Sequence, residues 1–265
     1  MTLREFLRAD LWDQWDSIET DQKKRLPPPL RFKPYPADAE LIDLVRPDAF
    51  TVGTMPLVEA IRRRRSRRRF TEAALSFEEL SFLLWATQGL SGPQPTPSDG
   101  TTEGRSLRTV PSGGARHPFE TYLLVNRVAG LEPALYRYLP QSHRLCHLRD
   151  RSAIADLAEE AWAVRQALRE CAVVFIWTAV PYRMEWLFGR LSHKIIAMDA
   201  GHLCQNLYLA SEAIGAGTCA FGWYDQARVD AMVQADGTDE FSVYMAAVGK
   251  IEQQPEISPT PPCCG

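Results

Sequence analysis

Between Lys194 and Ile214 the chain reads KIIAMDAGHLCQNLYLASEAI, with Ile195, Met198, Leu203, Leu207 and Leu209 on several faces of a long helix. A helix so wrapped in apolar residues belongs in a core or a subunit interface, because a solvent-facing helix keeps a polar side. Upstream, AVVFIWTAV (Ala172 to Val180) is an unbroken apolar run of strand length. It reads as a strand buried on both faces. Both segments need cover from the rest of the chain.

That cover can be followed in order. Residues from about Thr2 to Trp15 are spaced as an amphipathic helix, with Leu3, Phe6, Leu7, Leu11 and Trp15 near one face. LPPPLRFKPYP (Leu26 to Pro36) must be extended, because consecutive prolines forbid a regular helix. Its Phe32 and Tyr35 suit a loose leader or a strap laid over a partner subunit. A helix then begins where Thr54 can cap and Pro56 suits an early position, with Leu57, Ala60, Ile61 and Arg64 on one face. Ser76 and Glu79 predict a capping box for the next helix, which carries Phe77, Leu80, Leu83 and Leu84 and ends at Gly89. Gly92 to Gly104 has loop composition. FETYLLV alternates as a strand, and ALYRYL with RLCHL predicts a hairpin around Pro140 to His143. Helix signals recur over Ala153 to Arg169 and Gln226 to Gln234, and FSVYMAAVGK closes as a strand. Hairpins in place of regular βαβ units predict an α+β fold with a mainly antiparallel central sheet flanked by helices. Residues 1–50 are expected to form an N-terminal helix and extended arm, residues 51–252 the folded domain, and residues 253–265 a flexible tail.

The chemistry concentrates in IRRRRSRRRF, Ile61 to Phe70. A serine among arginines at a helix-to-loop junction suits a small dianion, since the guanidinium fork matches phosphate oxygens and the hydroxyl adds a donor. A solvated basic helix face and a nucleic-acid patch are the alternatives. The net charge of −3 makes the run a local feature of a slightly acidic chain and argues against a nucleic-acid partner. No apolar run reaches membrane-span length, and the six scattered cysteines, Cys263 and Cys264 among them, suit a reducing, cytoplasmic setting. Gly215, Gly217 and Ala220 match a dinucleotide fingerprint on paper, but a helix precedes them where a strand is required, so they read as a helix end and a strand start. His143, Cys146 and His147 lack a fourth partner at metal-ligand spacing, and no metal is expected. Asp199 and His202 are i,i+3 neighbours with core packing as their default reading. Ser112 lies outside any GxSxG elbow.

The order RRSRRRF, PSGGARHPFETYL, DAGHLCQNLYLASEAIGAG and AAVGK resembles the nitroreductase family of flavin enzymes, from about Met55 to Lys250. The PSGGAR and AGHxxQNLYLA segments are similar to its thiazoline/oxazoline dehydrogenase branch. The resemblance implies an FMN-dependent, nitroreductase-like fold, an interlocked homodimer with its sites at the subunit interface, and oxidoreductase activity on a small molecule. It implies that Arg64, Arg65, Ser66 and Arg68 bind the FMN phosphate, joined by Lys250. By the same resemblance, Pro111, Ser112, Gly113 and Gly114 approach the flavin from the partner subunit, and Phe221 and Gly222 turn backbone N–H groups toward flavin N5. The expected activity is hydride transfer between NAD(P)H or an organic donor and an aromatic or conjugated acceptor. Azoline oxidation and flavin binding without turnover are the alternatives. The azoline dehydrogenases use a Lys-Tyr pair; here Lys194 has no adjacent tyrosine, which leaves Tyr182 and Tyr224 as candidates beside it. YRMEWLFG, with Trp223 and Tyr224, is placed to cover the flavin's open face. Tyr182, Trp186, Phe188, Trp223 and Tyr224 are therefore expected at the substrate, or else fill a hydrophobic gap.

Overall fold

The computed structural model describes residues 4–92, 106–161, 167 and 170–252, so most of the Gly92–Gly104 loop, part of the helix expected over Ala153 to Arg169, and the tail from residue 253 lie outside the described residues. Its seven strands are β1 (Leu41–Asp43), β2 (Phe119–Val125), β3 (Ala134–Leu139), β4 (Arg144–Asp150), β5 (Val173–Ala179), β6 (Ala216–Phe221) and β7 (Phe241–Lys250). They form one sheet in the order β1-β4-β3-β2-β5-β7-β6, with every neighbouring pair antiparallel. The helices are α1 (Leu57–Arg63), α2 (Phe77–Gln88), α3 (Ala155–Ala161), α4 (Tyr182–Phe188), α5 (Ser192–Ala213) and α6 (Gln226–Val233). The α+β class and the antiparallel sheet are as the hairpin pattern predicted.

The two-residue period of β5 divides the core. Val173, Phe175 and Trp177 face one side and pack with Ile195, Leu203 and Leu207 of α5 and Leu80, Leu83 and Leu84 of α2. Val174 and Ile176 face the other side and pack with Val229, Met232 and Val233 of α6 and Ala158 of α3. Helices on both faces explain why β5 tolerates no polar alternation. The expected capping box starts α2: Glu79 N–H donates to Ser76 Oγ at 3.1 Å and Ser76 N–H to Glu79 Oε2 at 2.8 Å. Gly215 ends α5 with φ +67°, and at Gly217 a Cβ would lie 2.6 Å from the Cβ of Arg67. That pair ends a helix and starts a strand, as the sequence reading held.

The N-terminal region departs from expectation. Glu5–Leu7 and Asp10–Ser17 are 3-10 turns where an amphipathic α-helix was predicted. Three residues per turn stack Trp12 and Trp15 on one side, their rings 6.1 and 6.3 Å from that of Phe188. Pro56 occupies the cap position of α1 and no side chain caps it, so Thr54 does not serve as expected. Leu41–Asp43 of the supposed arm pairs with β4 as the sheet's edge.

The proline-rich segment packs on its own chain. Its carbonyls are satisfied by side chains of the fold: Arg183 Nε donates to Leu30 O (3.1 Å), Arg137 to Pro34 O (2.8 Å) and Trp186 Nε1 to Leu26 O (3.0 Å). In return Lys33 of the arm pairs with buried Glu240, which also accepts from Tyr122 (2.8 Å) and Thr178 (2.7 Å). Beneath the arm Arg183 and Glu120 form a buried ion pair at 2.6 Å, 3% and 6% exposed. Burial pushes the Glu120 carboxyl up, but Arg183, Arg137 and Arg108 outweigh it and hold it below the ordinary range. Burial, then Arg108, pushes His117 down to about 3, so it is neutral at physiological pH.

Arg183→Met should strand the Glu120 carboxylate and free the Leu30 carbonyl. Breaking a buried pair from one side costs about 3–5 kcal/mol, and nearby Arg137 and Arg108 place this case at the low end. Denaturant unfolding should show that loss, and limited proteolysis should show earlier cleavage within residues 23–33. Stability within 1 kcal/mol of wild type, taken as a rough threshold of a minor effect, would mean that the pair does not hold the arm.

Candidate functional site

α1 stops at Arg63, and Arg64 takes φ −47°, ψ 123°, turning the chain into an extended run along the free edge of β6. Ser66 bridges to Thr218 in parallel register, and Arg67 N–H donates to Thr218 O at 2.9 Å. The arginines then divide by partner. Arg62 and Arg63 pair with Glu59 one turn earlier, and Arg67 lies 3.9 Å from buried Glu212. Among the described residues, Arg64, Arg65, Arg68 and Arg69 have no carboxylate at ion-pair distance. Four guanidiniums without a carboxylate, flanking exposed Ser66 in sequence, suit a dianion better than a solvated helix face, since the run has left the helix.

Tyr208 of α5 ties this loop to the strand. Its hydroxyl accepts from Ala220 N–H at 2.9 Å, lies 3.2 Å from Ser66 Oγ, and its ring sits under the Arg64 guanidinium at 5.5 Å. β6 is an edge strand, so its backbone groups alternate between β7 and the open side. Thr218 O and Ala220 N both point to the open side. Phe221 is in register with Met245 of β7, and exposed Gly222, where a Cβ would meet nothing within 4 Å, follows the end of β6. Trp223 follows at 77% exposure. Tyr224 is half-buried, and burial pushes its hydroxyl pKa up.

Pro111 to Gly114 lies elsewhere on α5. Asp199 accepts from Ser112 Oγ at 2.5 Å and from Gly113 N–H at 3.3 Å, and Ser112 Oγ accepts from His117 N–H at 2.9 Å. His202, the partner suggested by spacing, is 3.7 Å from Asp199. At Gly113 a Cβ would lie 2.4 Å from Ile195 Cγ2, and at Gly114, φ +59°, 2.6 Å from Leu187 Cδ2. Close packing on α4 and α5 of its own chain already requires both glycines. Asp199 and Tyr208 are about two and a half turns apart at 3.6 residues per turn, so they face opposite sides of α5. Within one chain the Pro111–Gly114 segment and the arginine loop do not meet.

Lys250 is engaged elsewhere too. Its ammonium pairs with Glu79 and donates to Ile214 O at 3.0 Å, closing the end of α5 onto the start of α2. Lys194 donates to the Leu7 and Arg8 carbonyls, and Tyr182 to Asp21 at 2.8 Å. Trp186 is buried under the arm with Arg116 over its ring at 4.6 Å, and Phe188 meets Trp12 and Trp15. Tyr182, Trp186 and Phe188 thus lie against the N-terminal segment, while Trp223 and Tyr224 lie beyond the end of β6. Asp199 and Tyr208 escaped the sequence reading of the site. The available signal was a carboxylate and a phenol on faces of a helix with little polar surface.

Among the described residues no three His, Cys, Asp or Glu side chains are grouped to hold a metal, and no helix is long and apolar enough to cross a membrane. A sequence model of the nitroreductase family matches residues 61–250. The nitroreductase-like protein MJ1384 of Methanocaldococcus jannaschii is 31% identical over 176 residues, covering 66% of this chain and 82% of its own. The trifolitoxin-processing protein TfxB of Rhizobium leguminosarum is 34% identical over 117 residues, 42% of this chain and 31% of that longer one. A crystal structure of a nitroreductase-type protein from Ralstonia eutropha superimposes with TM-score 0.61 at 24% identity, covering 86% of this chain and 96% of the other.

Burial pushes the Asp199 carboxyl above its ordinary value of 3.8, against the opposing effect of Ser112, Gly113 and His202. The folded state therefore holds this proton more tightly than the unfolded chain, and the associated stability fades as pH rises above the ordinary value. Asp199→Asn cannot titrate. Melting temperatures from acid to neutral pH should show wild type losing ground to the variant, with the gap constant once Asp199 is fully ionised. Parallel curves would exclude a raised pKa.

Proposed function

The chain belongs to the nitroreductase family and is an oxidoreductase, and on that premise we propose that it binds FMN along the outer edge of β6. Its reaction is then hydride transfer between NAD(P)H or an organic donor and a small aromatic or conjugated acceptor. The observation that carries this reading is the pairing of four arginines without a carboxylate at one end of the edge with exposed, unobstructed Gly222 at the other. Thr218 and Gly222 are separated by roughly 13 Å of extended strand at about 3.3 Å per residue. An elongated ligand with a phosphate and a planar ring suits that spacing. When bound, FMN would supply two-electron chemistry at N5. Arg64, Arg65, Arg68 and Ser66 would hold its phosphate, Gly222 N–H would face the ring, and Trp223 would border the open side. Lys250, bound to Glu79, would support the loop from behind.

The part assigned to Pro111–Gly114 requires a second copy of the chain, because α5 separates that segment from the arginine loop. The exposed stripe of α5 supports such a dimer: Ala197, Met198, Gly201 and Gln205 lie along one line, with Leu57, Val58 and Ile61 of α1 also exposed. Small and apolar residues in one stripe permit close helix approach. A second reading, azoline dehydrogenation in peptide maturation, is favoured by the similarity to TfxB. Against it, Lys194 and Tyr182 are bonded to the N-terminal segment, which leaves Tyr224 as the candidate not held there.

Purified protein should be yellow, bleach anaerobically with NADH or NADPH, and recover colour on adding a quinone or nitroaromatic. Bleaching by an azoline peptide but by neither nicotinamide would favour the second reading. Charge-assisted hydrogen bonds contribute about 1.5–3 kcal/mol each, so Arg64→Ala with Arg68→Ala should lower FMN affinity by two to four powers of ten, roughly, and leave the chain folded. Equal flavin occupancy in mutant and wild type would refute the phosphate assignment. Met198→Asp should give a monomer by light scattering and lose flavin; a dimer that keeps flavin would place the interface elsewhere.

A further inference from the structure

Tyr208 lies in the DAGHLCQNLYLA segment but was given no role there, and its hydroxyl touches both the serine of the arginine loop and the edge of β6. Its oxygen accepts from Ala220 N–H at 2.9 Å, which leaves its own hydrogen to place. Ser66 Oγ at 3.2 Å is the acceptor in range, and a phenol is a better donor than an alkyl hydroxyl. The direction matters because Ser66 has a single hydrogen. If Ser66 spent it on Tyr208, it would offer only lone pairs outward, which repel an anion. If Tyr208 donates, the Ser66 hydrogen is free to point out among Arg64, Arg65 and Arg68.

We propose that Tyr208 is a positioning residue that sets Ser66 as an outward donor to a phosphate monoester, through the chain Ala220 N–H to Tyr208 O–H to Ser66 O–H. The inference rests on the flavin reading above and assigns the phosphate end of that site a control that the arginines cannot supply. Hydrogen bonds aligned in one sense polarise one another, so the last donor is strengthened. The same chain consumes the Ala220 N–H, which reserves Gly222 for the ring end.

The test uses full-length protein stripped of flavin, with FMN and riboflavin titrated by fluorescence quenching into wild type, Tyr208→Phe, Ser66→Ala and the double variant. Riboflavin lacks the phosphate. Tyr208→Phe should weaken FMN about tenfold, the scale of one hydrogen bond to a charged group, and leave riboflavin unchanged. The double variant should bind FMN no more weakly than Ser66→Ala alone, because the tyrosine acts through the serine. Additive losses, equal weakening of FMN and riboflavin, or no effect of Tyr208→Phe would each overturn the proposal. Should Tyr208→Phe not fold, p-aminophenylalanine incorporated at position 208 keeps the ring's length, a lone pair for Ala220 N–H and a donor for Ser66. It should hold FMN within about threefold of wild type, and a tenfold loss or more there overturns the relay on the same scale. Wild type that binds no FMN removes the flavin reading itself, whereas wild type that binds FMN as tightly as Tyr208→Phe removes only the relay.

Discussion

Because α5 is apolar over much of its circumference, most polar side chains it buries, Ser192 excepted, find a partner in whatever segment packs there. Asp199 takes Ser112 and Gly113, Tyr208 takes Ala220 and Ser66, Ser211 takes Thr218 at 2.6 Å, and Glu212 accepts from Arg65 N–H at 3.3 Å. These bonds fix loops that have no secondary structure of their own. The helix thereby sets where the arginine loop and the Pro-Ser-Gly-Gly segment stand relative to the sheet.

The N-terminal arm poses the opposite problem. A proline-rich stretch offers carbonyls but few N–H groups, so no strand ladder can absorb it. Arginine and tryptophan side chains from β3 and α4 supply the missing donors, and Lys33 answers the Glu240 carboxylate in exchange. Each side would leave buried polar groups unpaired without the other. Residues 26–34 are consequently structural and cover Trp186 of α4, whereas Phe188 meets Trp12 and Trp15.

Local patterns were legible in the sequence, and non-local partners were not. The wrapped helix, the buried strand, the hairpin and the Ser76 box rest on periodicity or on residues three apart, and the fold class followed from them. β1 is three residues held by its neighbour, and the 3-10 winding at Trp12 and Trp15 answers to Phe188, far along the chain. The packing of LPPPLRFKPYP on its own chain was illegible for the same reason, since nothing in that stretch names Arg137 or Arg183 as its partners. One part of the site was more legible than it was read. Glu59 stands three and four residues before Arg62 and Arg63, so those two arginines were spoken for by helix spacing. The loop arginines beyond residue 63 had no such neighbour.

The four motifs whose order suggested a family share a mechanical reason for existing. RRSRRRF is bound through Tyr208 and Glu212, and PSGGAR through Asp199 and the close fit of Gly113 on Ile195. DAGHLCQNLYLA is α5 itself, and the lysine of AAVGK meets the Ile214 carbonyl where that helix ends. All four are contacts of one helix. Their placement on opposite sides of it keeps the basic loop and the glycine backbone apart within one chain, and on the flavin reading proposed above each is half of a site. A two-fold partner is the simplest way to bring unlike halves together, since one self-complementary contact completes two sites at once. On that proposed reading, the exposed Ala197, Met198 and Gly201 stripe and the divided site would be consequences of the same buried helix.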